Sequence, residues 1–170
     1  MTAADTISTQ KIWTILETVT DPEVPVLTII DLGIVRDVKI NDEETEIIIT
    51  PTYTGCPAMD MIAMNIHLAM AENGYKKVKI TSVLSPAWTT DWMSEAGKEK
   101  LKIYGIAPPL TRSDRSRLTD TNLFAEQNNI QCPHCNSFHT KLISQFGSTA
   151  CKALYQCNDC REPFDYFKCH

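Results

Sequence analysis

Glu46-Ile47-Ile48-Ile49-Thr50-Pro51-Thr52-Tyr53-Thr54-Gly55-Cys56-Pro57 decides how the first part of this 170-residue chain is read. The isoleucine run is a strand signal, and Pro57 suits the first turn of a helix, where its missing N–H has no partner to lose. The stretch therefore predicts strand, glycine turn, cysteine, helix. Upstream, Ile34, Val38 and Ile40 alternate as a strand, and the polar turn Asn41-Asp42-Glu43-Glu44 folds it back antiparallel to Glu46–Thr50. Downstream, the helix runs from about Ala58 to Asn73 and Gly74 closes it in the usual glycine stop position.

The outer elements follow the same logic. Ile12, Ile15, Leu16 and Val19 share a helical face that Ser8 or Thr9 can cap, and Asp21-Pro22 ends that helix. Val78, Ile80 and Leu84 give a third strand. Thr89 or Thr90 then caps a helix to about Tyr104, with Gly105 after it. The order helix, strand, strand, helix, strand, helix predicts a compact α+β domain over residues 1–107.

Cys56 falls at or next to the start of the second helix. A thiolate there meets unpaired backbone N–H groups and the positive end of the helix dipole. Both stabilise the anion, which points to a reactive or metal-binding cysteine, and Gly55 lets the backbone approach a ligand. The plainer reading is a small residue filling the turn. Asp21 either caps its own turn or sits beside Cys56 as ligand or proton acceptor. His67, three turns along the helix, reads as structural. Met59, Met61, Met64 and Met70 cover more than one face of that helix, as core filling or as a pliable partner surface. Trp88 and Trp92 are core anchors or a partner patch. A homo-oligomer formed through these methionines or tryptophans stays open.

Composition shifts after Pro108-Pro109, where the polar residues 108–129 read as a linker. Residues 130–170 hold six of the seven cysteines and three of the four histidines. Cys132-x-x-Cys135 and Cys157-x-x-Cys160 are separated by 21 residues, the spacing of two metal knuckles that point four thiolates at one ion. Phe138, Leu142 and Phe146, then Ala153-Leu154-Tyr155, then Phe164–Phe167 supply strands for a small β zinc ribbon. A piece this short cannot bury a sufficient core, so the metal contributes to folding. Four thiolates also suit iron, but no glycine follows either pair, which favours zinc. His134 lies inside the first knuckle and is left out of the ligand set. Cys151, Cys169, His139 and His170 are spare residues or a second, weaker site.

Several functions are set aside. The formal charge of −5, with nine Lys/Arg against fifteen Asp/Glu in residues 1–107, argues against nucleic acid as a partner. No apolar run reaches the roughly 18 residues of a membrane span, and no leader is legible in residues 1–20. The cysteine pattern then suits reduced thiols in a cytoplasm. No phosphate-cradling glycine loop, serine elbow or Glu-x-x-His pair marks the chain as an enzyme, so no catalytic residue is assigned.

Asp21-Pro22-Glu23-Val24-Pro25-Val26, Asp31-Leu32-Gly33 and Thr52-x-Thr54-Gly55-Cys56-Pro57 resemble the metal–sulfur cluster biosynthetic family, which includes SufT-type and cytosolic iron–sulfur assembly factors. Pro86-Ala87-Trp88-Thr89-Thr90-Asp91-Trp92-Met93-Ser94, Tyr104–Pro109 and the appended cysteine module narrow the resemblance to the accessory proteins encoded with bacterial phenylacetyl-CoA epoxidase. The resemblance implies a maturation factor that helps assemble or insert an iron–sulfur cluster, with the reductase component of that system as recipient. It implies transient iron or iron–sulfur binding at Cys56, accompanied by Asp21. The alternative is an iron-binding electron-transfer subunit of the same oxygenase, with iron in the four-cysteine site.

Overall fold

The computed structural model describes residues 3–41, 44–110 and 130–168, with side chains from Thr9 onward. The chain divides into two compact units, Met1–Gly97 and Lys98–His170. Helix α1 spans Ala3–Leu16, so Ser8 and Thr9 lie inside it and do not cap it. It ends before Asp21-Pro22 is reached, by tightening: Thr18 and Val19 donate to Ile15 and Leu16, three residues back. Ile12, Ile15 and Leu16 are buried, and Val19 stays buried beyond the helix end.

Strands β1 (Val35–Ile40), β2 (Thr45–Ile49) and β3 (Val78–Ser82) form one sheet in that order, β1 antiparallel and β3 parallel to β2. The expected hairpin is present, with Asn41 and Glu44 exchanging backbone hydrogen bonds; Asp42 and Glu43 lie outside the described residues. The strict alternation expected of β1 is broken between Val35 and Asp37, where the register shifts. The extra residue between Val35 and Asp37 brings Val35 and Val38 to the same buried face, while Ile40, the last residue of the strand, is exposed.

Helix α2 (Ala58–Glu72) makes the crossover from β2 to β3. Ala58, Ile62, Ile66 and Met70, four residues apart, form its buried face. The three larger side chains each contribute about 1.5–3 kcal/mol by leaving water. Met70 is therefore core, whereas Met61 and Met64 are exposed.

The third expected helix is split. Thr89 accepts the Asp91 N–H and caps a single 3-10 turn, Thr90–Trp92. Met93 is extended, and α3 starts afresh at Glu95–Ile103, capped by Ser94, whose Oγ accepts the Gly97 N–H at 2.8 Å. That serine is held in turn by Asp31, through Ser94 Oγ to Asp31 Oδ1 at 2.8 Å and Ser94 N–H to the Asp31 carbonyl at 2.9 Å. Trp88 is a core anchor, its indole N–H donating to the Leu32 carbonyl. Trp92 is half-buried beneath the Arg36 guanidinium, 3.5 Å from the ring centroid.

The second unit carries a sheet in the order β4 (Ile106–Ala107), β7 (Pro163–Phe167), β6 (Lys152–Cys157), β5 (Thr140–Ser144). The three ribbon strands expected from the sequence are there, although Phe138 and Phe146 are exposed and lie outside β5. The fourth strand, β4, was not expected. It pairs parallel with β7 through Ile106 and Ala107, ahead of the boundary that composition placed after residue 107. Of the linker read at 108–129, residues 111–129 lie outside the described residues, as do Cys169 and His170. Ala107, Ile130, Ala153, Tyr155 and Phe164 pack with Cys132 and Cys157 as this unit's small core. Among the described residues, no helix is long and apolar enough to cross a membrane.

Candidate functional site

Two places carry the residues singled out by the sequence. The first is the turn between β2 and α2. Tyr53 and Cys56 close it through a 3.2 Å backbone bond, and the Cys56 carbonyl receives the Met59 N–H at 3.3 Å. Gly55 has φ +82° and open space where a side chain would be, so a ligand can reach the backbone here. Pro57 is the N-cap of α2, which puts the half-buried Cys56 one residue outside the helix. Asp21 lies in the turn after α1, buried, with Oδ1 accepting the N–H groups of Glu23 at 2.8 Å and Val24 at 2.7 Å. That is the capping geometry of an aspartate turn. His67 is exposed on α2.

The second place is the pair of knuckles. The sulfurs of Cys132, Cys135, Cys157 and Cys160 all lie within 4.8 Å of one another. Cys132 and Cys160 are 3.7 Å apart, and Cys135 and Cys157 are 3.5 Å apart. A tetrahedral ion with metal–sulfur bonds of about 2.3 Å spaces its sulfurs by about 3.8 Å, so the donor set fits such an ion. The His134 ring is not in the cluster; it lies against Gly105.

Local bonding explains how the knuckles form. Cys132 N–H donates to the Ser137 carbonyl and Cys157 N–H to the Glu162 carbonyl, the same five-residue span in each. Gln131 Nε2 donates to the Asn136 carbonyl and Gln156 Nε2 to the Arg161 carbonyl, again at matching positions. Asn136 and Arg161 both take left-handed backbone, φ +61° and +68°. The missing glycines noted in the sequence are thus replaced by two residues held in the glycine conformation. A Gln-Cys-x-x-Cys repeat was present in the sequence and would have announced this equivalence.

The thiols are not alike. The N–H groups of Cys160 and Asp159, with the neighbouring sulfurs, bring Cys157 down to about 7. For Cys160 the Glu162 N–H pulls downward, but burial and the sulfurs of Cys135, Cys157 and Cys132 together push it up to about 12. Burial raises Cys132.

Residues 9–82 match the family described as iron-sulfur cluster assembly protein, and residues 117–168 match the PaaD zinc beta ribbon domain. A Bacillus subtilis protein named Fe-S protein maturation auxiliary factor YitW is 38% identical over 90 residues, covering 52% of this chain and 87% of its own. A crystal structure of a domain of unknown function, DUF59, from Bacillus anthracis superposes with a TM-score of 0.55 at 28% identity, covering 59% of this chain and 96% of that one. An Escherichia coli protein, provisionally named as a component of 1,2-phenylacetyl-CoA epoxidase, is 51% identical over 159 residues, 94% of this chain and 92% of its own. With an assembly-type unit, a four-cysteine ribbon and a match to that protein along nearly its whole length, the chain belongs to the family of this E. coli epoxidase component, the PaaD family.

Proposed function

We propose that this protein is a maturation factor of a phenylacetyl-CoA epoxidase system, assisting assembly or insertion of an iron–sulfur cluster in the reductase component. The observation that carries the reading is the Cys56 turn: a half-exposed thiol beside an open glycine, one residue outside a helix start. Its partners in this reading are proteins of that system, and its place is the cytoplasm, where thiols stay reduced. Cys56 Sγ would hold iron or a cluster as cargo, and a recipient thiolate would displace it. Such ligand exchange moves no electrons, so the turn needs to present the sulfur and nothing more. Asp21 fixes the acidic turn after α1 through the Glu23 and Val24 N–H groups, and in this reading its carboxylate would assist the thiol.

Zinc is the resident metal in this reading, held by Cys132, Cys135, Cys157 and Cys160 and supplying folding energy to the ribbon. The second reading, iron at those cysteines and an electron-transfer role, draws on the same sulfur geometry, which suits either ion. Zinc, iron and acid-labile sulfide measured per chain after purification without oxygen separate the two. Zinc in the ribbon is expected; iron in its place would put electron transfer first. The test of the function is Cys56→Ala. Its fold should be unchanged while cluster occupancy in the reductase component falls, and full occupancy would remove Cys56 from the role. Asp21→Asn keeps an acceptor for the Glu23 and Val24 N–H groups and removes the charge, so it asks whether the charge itself contributes.

A further inference from the structure

The two knuckles differ at both inner positions, Pro133 against Asn158 and His134 against Asp159, and the third position carries the larger consequence. In the first it is His134, lying against Gly105; in the second it is Asp159. Asp159 Oδ2 accepts the Ser137 hydroxyl, and its Oδ1 faces His139 Nδ1 at 2.9 Å. Because a carboxylate oxygen can only accept, that ring nitrogen carries the proton. The Asn158 N–H donates to the His139 carbonyl at 2.8 Å, and the His139 N–H donates to Ser137 Oγ at 2.9 Å. Ser137 and His139 lie in the segment that leaves the first knuckle for β5, so every one of these bonds except the last joins the second knuckle to the exit of the first.

We propose that Asp159 is a clamp between the knuckles, a positioning residue that sets how slowly the four-sulfur site releases its metal. To lose an ion held by four sulfurs, one knuckle must swing its pair away from the other. The Gln131 and Gln156 bonds stiffen each knuckle separately and do not resist that motion. The Asp159 bonds do, because they close the gap that has to open. Partners outside the ligand set commonly change metal affinity 10–100-fold. For a chain that handles iron as cargo, slow release keeps the ribbon's thiolates occupied and out of competition for it. The inference rests on the reading that the four cysteines hold a metal.

The test follows zinc release from the full-length, zinc-loaded protein into a chromophoric chelator, with a cobalt-loaded sample as a check on the ligands. Asp159→Ala should release zinc at least about tenfold faster than wild type, while the cobalt spectrum keeps its four-thiolate form. Ser137→Ala leaves the net charge untouched and should also speed release. Asp159→Asn keeps one accepting oxygen and should fall between wild type and Asp159→Ala. If Asp159→Ala does not fold, Ser137→Ala and Asp159→Asn carry the comparison. Equal rates in wild type and the folded variants overturn the clamp. Equal acceleration by Asn and Ala, with none from Ser137→Ala, overturns it too, because charge alone would then be the cause. A wild-type chain that binds no zinc overturns this inference together with the reading of the metal, whereas zinc bound and released at equal rates overturns this inference only.

Discussion

Arg161 spends its place in the second knuckle in a conformation that side chains avoid. The left-handed region costs a non-glycine residue about 1–2 kcal/mol, part of which glycine would return through its freer unfolded chain. Arg161→Gly should therefore stabilise the metal-loaded protein by about 0.5–1 kcal/mol in denaturant titration, with the Gln156 bond to its carbonyl retained. Gly33 is the opposite case. Its φ is +66°, and an added Cβ would lie 2.2 Å from the Trp92 carbonyl oxygen. Strain and overpacking act together there, so Gly33→Ala should cost roughly 2–4 kcal/mol in the same measurement. The Asp31-Leu32-Gly33 turn thus has a structural duty: its aspartate holds Ser94 and its glycine lets the Trp92 backbone pass.

Among the elements, β2 and β3 are joined by a charged pair as well as by their backbones. Glu46 Oε1 accepts from Thr81 Oγ1 at 2.6 Å and from Lys79 Nζ at 3.1 Å. The Thr81 hydroxyl first, and then Lys79, hold the Glu46 carboxyl below its usual 4.5. A carboxylate depressed by folding stabilises the native state above its unfolded pKa, and that contribution is lost as pH falls through the folded value. Stability followed from pH 6 downward should drop more steeply below about 4.5 in wild type than in Glu46→Gln, which has no such proton to bind. Ser94→Ala removes the α3 cap and should cost about 1 kcal/mol. The elements also show what local reading reaches. The hairpin, α2 and its glycine stop were legible because their signals lie within a few residues of one another. The break before α3 was not, because the serine that restarts the helix is held by an aspartate 63 residues earlier. The β1 bulge was equally hidden, since alternation is a rule about one strand and a bulge is a property of two.

For the whole molecule, the two units have unequal reserves. Met1–Gly97 contains most of the fully buried large side chains, including Ile12, Leu27, Ile47, Ile62 and Ile66. The ribbon's core is a handful of residues, two of them cysteines of the four-sulfur cluster. Stripping the metal with a strong chelator should therefore unfold the ribbon sheet and leave the first unit's melting transition in place. Calorimetry of loaded and stripped protein checks this, with a single transition that shifts as one contradicting it. At this scale the cysteine spacing told most of what the second unit is. It could not show that the sheet recruits Ile106 and Ala107, because two apolar residues carry no period and their partner lies some sixty positions away.

That recruitment bears on how this protein can be cut or exchanged between relatives. The ribbon family match begins at residue 117, after the strand that covers one flank of β7. A fragment excised there would bare the N–H and C=O groups of β7 along that flank, inviting other copies to add to it as fibres do. The smallest transplantable ribbon therefore starts before Ile106. A chimaera spliced inside residues 108–116 inherits someone else's edge strand, and its solubility is the trait that would betray the mismatch.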